Sequence, residues 1–143
     1  MNVADMMTAK PVTIYQNETI RQALDAMARV GCHHLPVLSH EGHIVGVITA
    51  SDCRRALRPP DSHTPDWDEE AIAQRRQVRT VMTAAPIIVE PDMGADEAAR
   101  LMLTHHVSCL PVMRSETLIG IITTSDILMA FIRMHKRETL GDV

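Results

Sequence analysis

The feature that most constrains this chain is that it is written twice. Displacing the 143-residue sequence by 75 positions lays Val3 on Val78, Met7-Thr8-Ala9 on Met82-Thr83-Ala84 and Pro11 on Pro86. The same displacement lays Ala23 on Ala98, Met27 on Met102 and Leu35-Pro36-Val37 on Leu110-Pro111-Val112. After one deletion, Gly46, Thr49, Ser51 and Asp52 fall on Gly120, Thr123, Ser125 and Asp126. Matches that keep their order at nearly one offset mark a tandem duplication. We read repeat 1 as residues 1–57, a linker as 58–77, repeat 2 as 78–136 and a C-terminal tail as 137–143. A fold for one copy must therefore serve for the other.

Each copy reads as the same α/β series of strand, helix, strand, strand, helix. Val3 to Met7 forms a short helical lead-in that Lys10-Pro11 stops, and Val12-Thr13-Ile14 is a brief β-branched strand. From Thr19 to Val30, Ile20, Ala23, Leu24 and Met27 follow helical spacing; Thr19 with Gln22 makes a capping box and Gly31 a stop. Leu35–Leu38 and Ile44–Ile48 form a hairpin around Glu41-Gly42, and a second helix follows Asp52. In repeat 2, Gly94 replaces Thr19, so Asp92 is expected to cap, with Asp96 and Glu97 in the first turn. The last helix, through Ile127-Leu128-Met129-Ala130-Phe131-Ile132, is apolar on most sides and should be buried between units or between chains. The linker carries a short helix, acidic at Asp66–Glu70 and basic at Arg75-Arg76, with the sole tryptophan. Trp67 reads as packing on its own domain, with partner docking the sharper alternative.

The chemistry sits in the stretch Gly46-Val47-Ile48-Thr49-Ala50-Ser51-Asp52 and its copy Gly120-Ile121-Ile122-Thr123-Thr124-Ser125-Asp126. Each is a strand that stops where a helix starts. At such a corner the first helical N–H groups lack internal partners and carry partial positive charge, which suits an anion. A neighbouring carboxylate can accept both hydroxyls of a vicinal diol such as ribose. Thr-x-x-Asp is equally a helix-capping pattern, so capping alone remains the competing reading.

Composition excludes several classes. A formal net charge of −4 gives no general attraction to nucleic acid, and Tyr15, Trp67 and Phe131 are the only aromatic residues, too few for a stacking platform. No apolar run approaches the roughly 20 residues needed to span a bilayer, and no leader opens the chain, so a soluble cytoplasmic protein is expected. Cys32, Cys53 and Cys109 are odd in number without paired spacing, which argues for small buried hydrophobes. His33-His34 and His105-His106 lie near cysteines, but the pairs are out of register by three positions between repeats, so surface or cleft histidines are expected and no metal. No nucleophile elbow, Walker loop or dinucleotide fingerprint is present, so no catalytic residues and no enzyme are expected.

The doubled pattern Met-Thr-x-x-Pro, helix, Leu-Pro-Val, then Gly-hydrophobic-hydrophobic-Thr-x-x-Asp resembles a pair of CBS domains, the cystathionine-β-synthase type repeat that forms a Bateman module. That resemblance implies two β-α-β-β-α repeats about a pseudo-twofold axis, sheets packed face to face, in a homodimer. It also implies clefts between repeats for an adenosine-containing ligand: AMP, ADP, ATP or S-adenosylmethionine, with no required cofactor. Carried over by position, Thr49, Ser51, Asp52, Thr123, Ser125 and Asp126 would meet ribose or phosphate. Lys10, Pro11, Val12, His34, Leu35 and Pro36 would line one base pocket; Ala85, Pro86, Ile87, Cys109, Leu110 and Pro111 would line the other. The function so implied is a stand-alone regulatory, energy-sensing module that signals to an unknown protein by a change in packing. The alternative is a ligand-free structural or protein-interaction dimer. Basic residues are unequal between the copies: Lys10, Arg54 and Arg55 in the first, against Ile127-Leu128-Met129 after the second aspartate. A monophosphate or weakly charged adenosyl ligand in at least one cleft is therefore expected.

Overall fold

A computed structural model of the chain describes residues 1–141. In order, the elements are α1 (Val3–Met6), β1 (Thr8–Ala9), β2 (Ile14–Tyr15), α2 (Ile20–Val30), β3 (His34–Leu38), β4 (Ile44–Thr49), α3 (Ala50–Leu57), α4 (Glu69–Arg75), β5 (Thr83–Ala84), α5 (Ala95–His105), β6 (Cys109–Arg114), β7 (Thr117–Thr123) and α6 (Thr124–Gly141). A single 3₁₀ turn, Val78–Thr80, stands in repeat 2 where α1 stands in repeat 1. Of the expected tail, 137–141 continue α6, and 142–143 lie outside the described residues. The chain is mixed α/β with two sheets in two compact units. The middle unit spans Val12–Pro86; the terminal unit joins Met1–Pro11 to the chain from Ile87 onward.

The middle unit is built on the sheet β2-β3-β4-β5. β3 and β4 form the expected antiparallel hairpin, with Leu35 opposite Ile48 and Val37 opposite Gly46. β2 lies parallel to β3 but is shorter and later than the β-branched run suggests, since only Ile14 and Tyr15 pair, with Val37 and Leu38. Helix α2 has the capping box read from Thr19 and Gln22, ends on left-handed Gly31 and buries Ile20, Ala23 and Met27. Leu35 and Ile48 are fully buried beneath it, and each such side chain contributes about 1.5–3 kcal/mol relative to exposure. The linker folds onto this unit: Arg21 on α2 grips Glu70 on α4 through two hydrogen bonds of 2.7 and 3.1 Å. The Trp67 indole N–H donates to the Leu57 carbonyl at 2.8 Å, satisfying an otherwise open acceptor at the end of α3. Trp67 thus packs on its own unit.

The terminal unit repeats the plan with the sheet β1-β7-β6. Val89 forms a parallel bridge with Val112, the equivalent of the Ile14–Val37 pair. One local expectation fails, and a second is not met inside the chain. Asp92 does not cap α5, because the helix begins at Ala95 with Gly94 at the cap position, and Gly94 supplies no side-chain hydrogen bond. Asp96 and Glu97 do occupy the first turn, where the helix dipole favours them. The α6 stripe is not buried within the chain either: Ala130 is its one buried described residue, while Leu128, Met129, Phe131 and Ile132 are exposed.

What the duplication conceals is an exchange of strands. β1, the opening strand of repeat 1, pairs with β7 of repeat 2 (Ala9 opposite Gly120), and β5, the opening strand of repeat 2, pairs with β4 of repeat 1 (Ala84 opposite Gly46). The chain passes between units at Pro11–Val12 and again at Pro86–Ile87. Both crossings follow a non-glycine residue in left-handed backbone, Lys10 at φ 51° and Ala85 at φ 50°. The glycines of the repeated motif are the price of this exchange. A Cβ on Gly46 would stand 2.6 Å from Met82 Sδ and 2.8 Å from the Thr83 carbonyl oxygen. One on Gly120 would stand 2.5 Å from Met7 Sδ and 3.0 Å from the Thr8 carbonyl oxygen.

Gly46→Ala and Gly120→Ala are each expected to destabilise the chain by about 1–3 kcal/mol in urea unfolding, because the backbone oxygen cannot swing away as a side chain can. Wild-type stability in both would remove the close approach as a constraint. His106 occupies the helix stop that Gly31 fills in repeat 1, at φ 54°. His106→Gly should therefore stabilise by about 1 kcal/mol, read as a rise in Tm.

Candidate ligand-binding corners

Both repeated motifs fold as strand-to-helix corners. In the middle unit, β4 ends at Thr49, whose extended backbone makes it the N-cap of α3. Its hydroxyl accepts from the Asp52 N–H at 3.0 Å, and its own N–H donates to Asp52 Oδ2 at 3.0 Å. In the terminal unit the same pair recurs: the Asp126 N–H donates to Thr123 Oγ1 at 3.3 Å, and the Thr123 N–H to Asp126 Oδ2 at 2.9 Å. The capping reading of the aspartates is thus realised in both copies, each carboxylate turned back onto its own main chain through one oxygen. Oδ1 takes no part in either box. The Asp52 side chain is 15% exposed, and its Oδ1 has Arg55 Nη1 at 3.8 Å. A carboxylate so placed holds the helix start with one oxygen and presents the other.

The strand beside each corner is set by the hairpin register. His34 pairs with Thr49 and Cys109 with Thr123, so each occupies the position flanking its threonine. His34 is half-buried, whereas Cys109 is buried. Burial pushes the Cys109 thiol far up from its usual range, with the Asp126 charge adding to the effect. Cys53, beside Asp52, is pushed up to about 11, again chiefly by burial. Both thiols are therefore neutral and unreactive, behaving as small hydrophobes.

The expected base-pocket residues divide in two ways. Leu35, Pro36, Leu110 and Pro111 are fully buried, so their side chains belong to the core and only their backbone is left to meet a ligand. The Pro111 carbonyl already accepts from the Val89 N–H at 3.0 Å. Val12 is exposed and Ile87 packs partly into the terminal core. Lys10 and Pro11 fall in the terminal unit and Ala85 and Pro86 in the middle one, so each expected set is divided between the units. Ser51 and Ser125 are exposed in the first turns of α3 and α6, and Ser51 Oγ accepts from Arg55 Nη2 at 3.5 Å.

The reach of Arg55 across the corner is legible in the sequence only as an Asp-x-x-Arg spacing. The left-handed residues before Pro11 and Pro86 leave no sequence signal, since neither Lys nor Ala favours that conformation. Among the described residues, no three His, Cys, Asp or Glu side chains gather to hold a metal. No helix among them is long and apolar enough to cross a membrane.

Comparison with known proteins agrees with this architecture. The CBS domain family profile matches residues 3–59 and 78–133. A CBS domain-containing protein of Dictyostelium discoideum is 32% identical over 135 residues, covering 92% of each chain. A homoserine O-acetyltransferase of Methanococcus vannielii is 32% identical over 126 residues, which are 87% of this chain but only 24% of that enzyme. Among solved structures, a CBS domain pair in complex with 5′-methylthioadenosine and S-adenosyl-L-methionine is similar at a TM-score of 0.75 and 27% identity, covering 92% of this chain and 95% of that one. CBSX2 in complex with AMP is similar at a TM-score of 0.73 and 25% identity, covering 94% and 98%.

Proposed function

The chain belongs to the CBS domain family, and from that premise we propose that it is a regulatory, non-catalytic module binding an adenosine-containing ligand at the Thr49–Asp52 and Thr123–Asp126 corners. The observation that carries the reading is that one arrangement recurs at the equivalent strand-to-helix corner of both copies: a capping carboxylate that keeps an oxygen outside the cap. Left-handed Lys10 and Ala85 support it, because backbone strain held at equivalent positions of both repeats is characteristic of ligand clamps. Thr49, Ser51, Asp52, Thr123, Ser125 and Asp126 take ribose and phosphate. The base is taken by Val12, His34, Ile87 and Cys109, by the backbone at Leu35-Pro36 and Leu110-Pro111, and by Lys10-Pro11 and Ala85-Pro86. Ligands of the AMP, ADP, ATP or S-adenosylmethionine kind fit this set; AMP and S-adenosylmethionine also occur in the similar structures.

Signalling comes from differential affinity. A ligand that prefers one arrangement of the repeats shifts the population toward it, by no more than that preference allows. Three free cysteines suit a reducing, cytoplasmic setting. The reading that both carboxylates only cap, in a ligand-free scaffold, is favoured by the hydrogen bonds themselves and is separated by titration. Thermal shift and calorimetry with AMP, ATP and S-adenosylmethionine should show at least one ligand raising Tm. In Asp52→Ala/Asp126→Ala that affinity should fall at least about tenfold, while circular dichroism shows a folded chain that has lost about 1 kcal/mol per cap. Unchanged affinity in the double variant would leave the scaffold reading standing.

The exposed Leu128, Phe131 and Ile132 on α6 lie on one helical face. We assign this stripe to a second copy of the chain, as apolar area left open on a monomer is a mark of association. Light scattering should give a dimer for the wild type and a shift toward monomer for Phe131→Glu; a wild-type monomer at tens of micromolar would refute the assignment.

A further inference from the structure

We propose that the two corners differ in the charge of the ligand they accept: the α3 corner takes a phosphorylated adenosine, and the α6 corner an adenosyl ligand carrying no phosphate. This rests on the reading that the corners bind adenosine. The aspartates are equivalent in position and in hydrogen bonding, so the difference lies in the residues one helical turn beyond them. Arg55 lies across the first turn of α3, Nη1 at 3.8 Å from Asp52 Oδ1 and Nη2 at 3.5 Å from Ser51 Oγ. Arg54, the next residue before it, is exposed on the neighbouring helical face. At the register of the repeat the same positions in α6 are Leu128 and Met129, both exposed, and no Lys or Arg occurs in that helix before Arg133. One corner therefore sets a guanidinium group beside its acid, and the other sets none.

The consequence for a ligand tail is opposite in sign. A phosphate near the start of α3 meets the positive end of the helix dipole and the planar, bidentate donors of arginine. Near the start of α6 it meets one carboxylate and a thioether, and loses hydration with no guanidinium beside the acid. A methylthio or sulfonium tail loses little there and gains contact with the polarisable sulfur of Met129. Arg55 also couples the two halves of recognition at α3. Beside Oδ1 it competes with a ribose diol for the free carboxylate oxygen, and a phosphate draws it off. Ribose alone is thus disfavoured at α3, and ribose with phosphate is favoured.

The test is calorimetric titration of the full chain with AMP and 5′-methylthioadenosine in single-corner variants. In Asp126→Ala, which leaves the α3 corner, AMP should bind about tenfold tighter than 5′-methylthioadenosine, the scale of one charge-assisted contact. In Asp52→Ala that preference should vanish or reverse. Adding Arg55→Met to Asp126→Ala should weaken AMP about tenfold and leave 5′-methylthioadenosine bound as tightly or more tightly, since the competitor for the carboxylate oxygen is gone. Adding Met129→Arg to Asp52→Ala should strengthen AMP, and the gain should shrink with salt. Equal preference at both corners, or arginine exchanges that leave the ratio unmoved, would overturn this inference alone. A chain that binds neither ligand would overturn the adenosine reading with it.

Discussion

Two backbones pass each other at Gly46 and Gly120 with no room for a methyl group, and the rest of the structure is arranged around those crossings. The edge strand that presses on each glycine comes from the other copy of the repeat, Thr83–Ala84 on β4 and Thr8–Ala9 on β7. Neither copy completes its own sheet. The Met-Thr motif and the Gly-x-x-Thr-x-x-Asp motif, which look independent along the chain, are therefore two sides of one contact: the methionine sulfur and the threonine carbonyl lie where a Cβ would be. Three residues beyond each glycine on the same strand stands the capping threonine. The crossing thus fixes the strand whose end forms the corner.

At the corner itself, the helix cap and the proposed ligand site draw on the same atoms. The aspartate satisfies a backbone N–H that would otherwise be open, a contribution of about 1 kcal/mol, and this alone would justify its presence. A cap needs one acceptor, however, and a carboxylate has two. An asparagine or a serine would cap as well; only a carboxylate caps and still offers a charged oxygen to a diol. The cap also holds that oxygen at a fixed angle, so a ligand would not have to order the side chain when it binds.

Much of this is legible in the residues. Two helices with capping boxes, the β3–β4 hairpin and both corners come from local spacing, because caps and turns are decided within four or five residues. The strand exchange is not legible. A duplication gives each edge strand two equivalent places to dock, and local propensity cannot choose between them. Asp92 misleads because the α5 start is fixed by tertiary hydrogen bonding, with the Ala95 N–H donating to the Met1 carbonyl at 3.1 Å. His106 looks like half of a histidine pair in the sequence, yet its position is that of a helix stop, visible only once Gly31 is laid on it. The two Thr-x-x-Asp corners are readable as a pair, whereas the burial of Leu35, Pro36, Leu110 and Pro111 is not, since a strand covered on both faces shows no alternation.

Laid over one another, the copies share a set of buried residues and differ at several positions about the corners. Ala23 and Ala98, Met27 and Met102, Leu35 and Leu110, Ile48 and Ile122 are the same, and all are core. His34 against Cys109, Arg54 against Leu128 and Arg55 against Met129 cluster about the two corners. A duplicated scaffold constrains its interior twice, because each unit is assembled from both copies and a core change in one disturbs the sheet of the other. The corner surfaces carry no such constraint. Under the proposed reading the two corners diverge in ligand, and the consequence is thermodynamic. Where both corners bias a single packing equilibrium, a phosphorylated and an unphosphorylated ligand alter each other's affinity by one and the same factor.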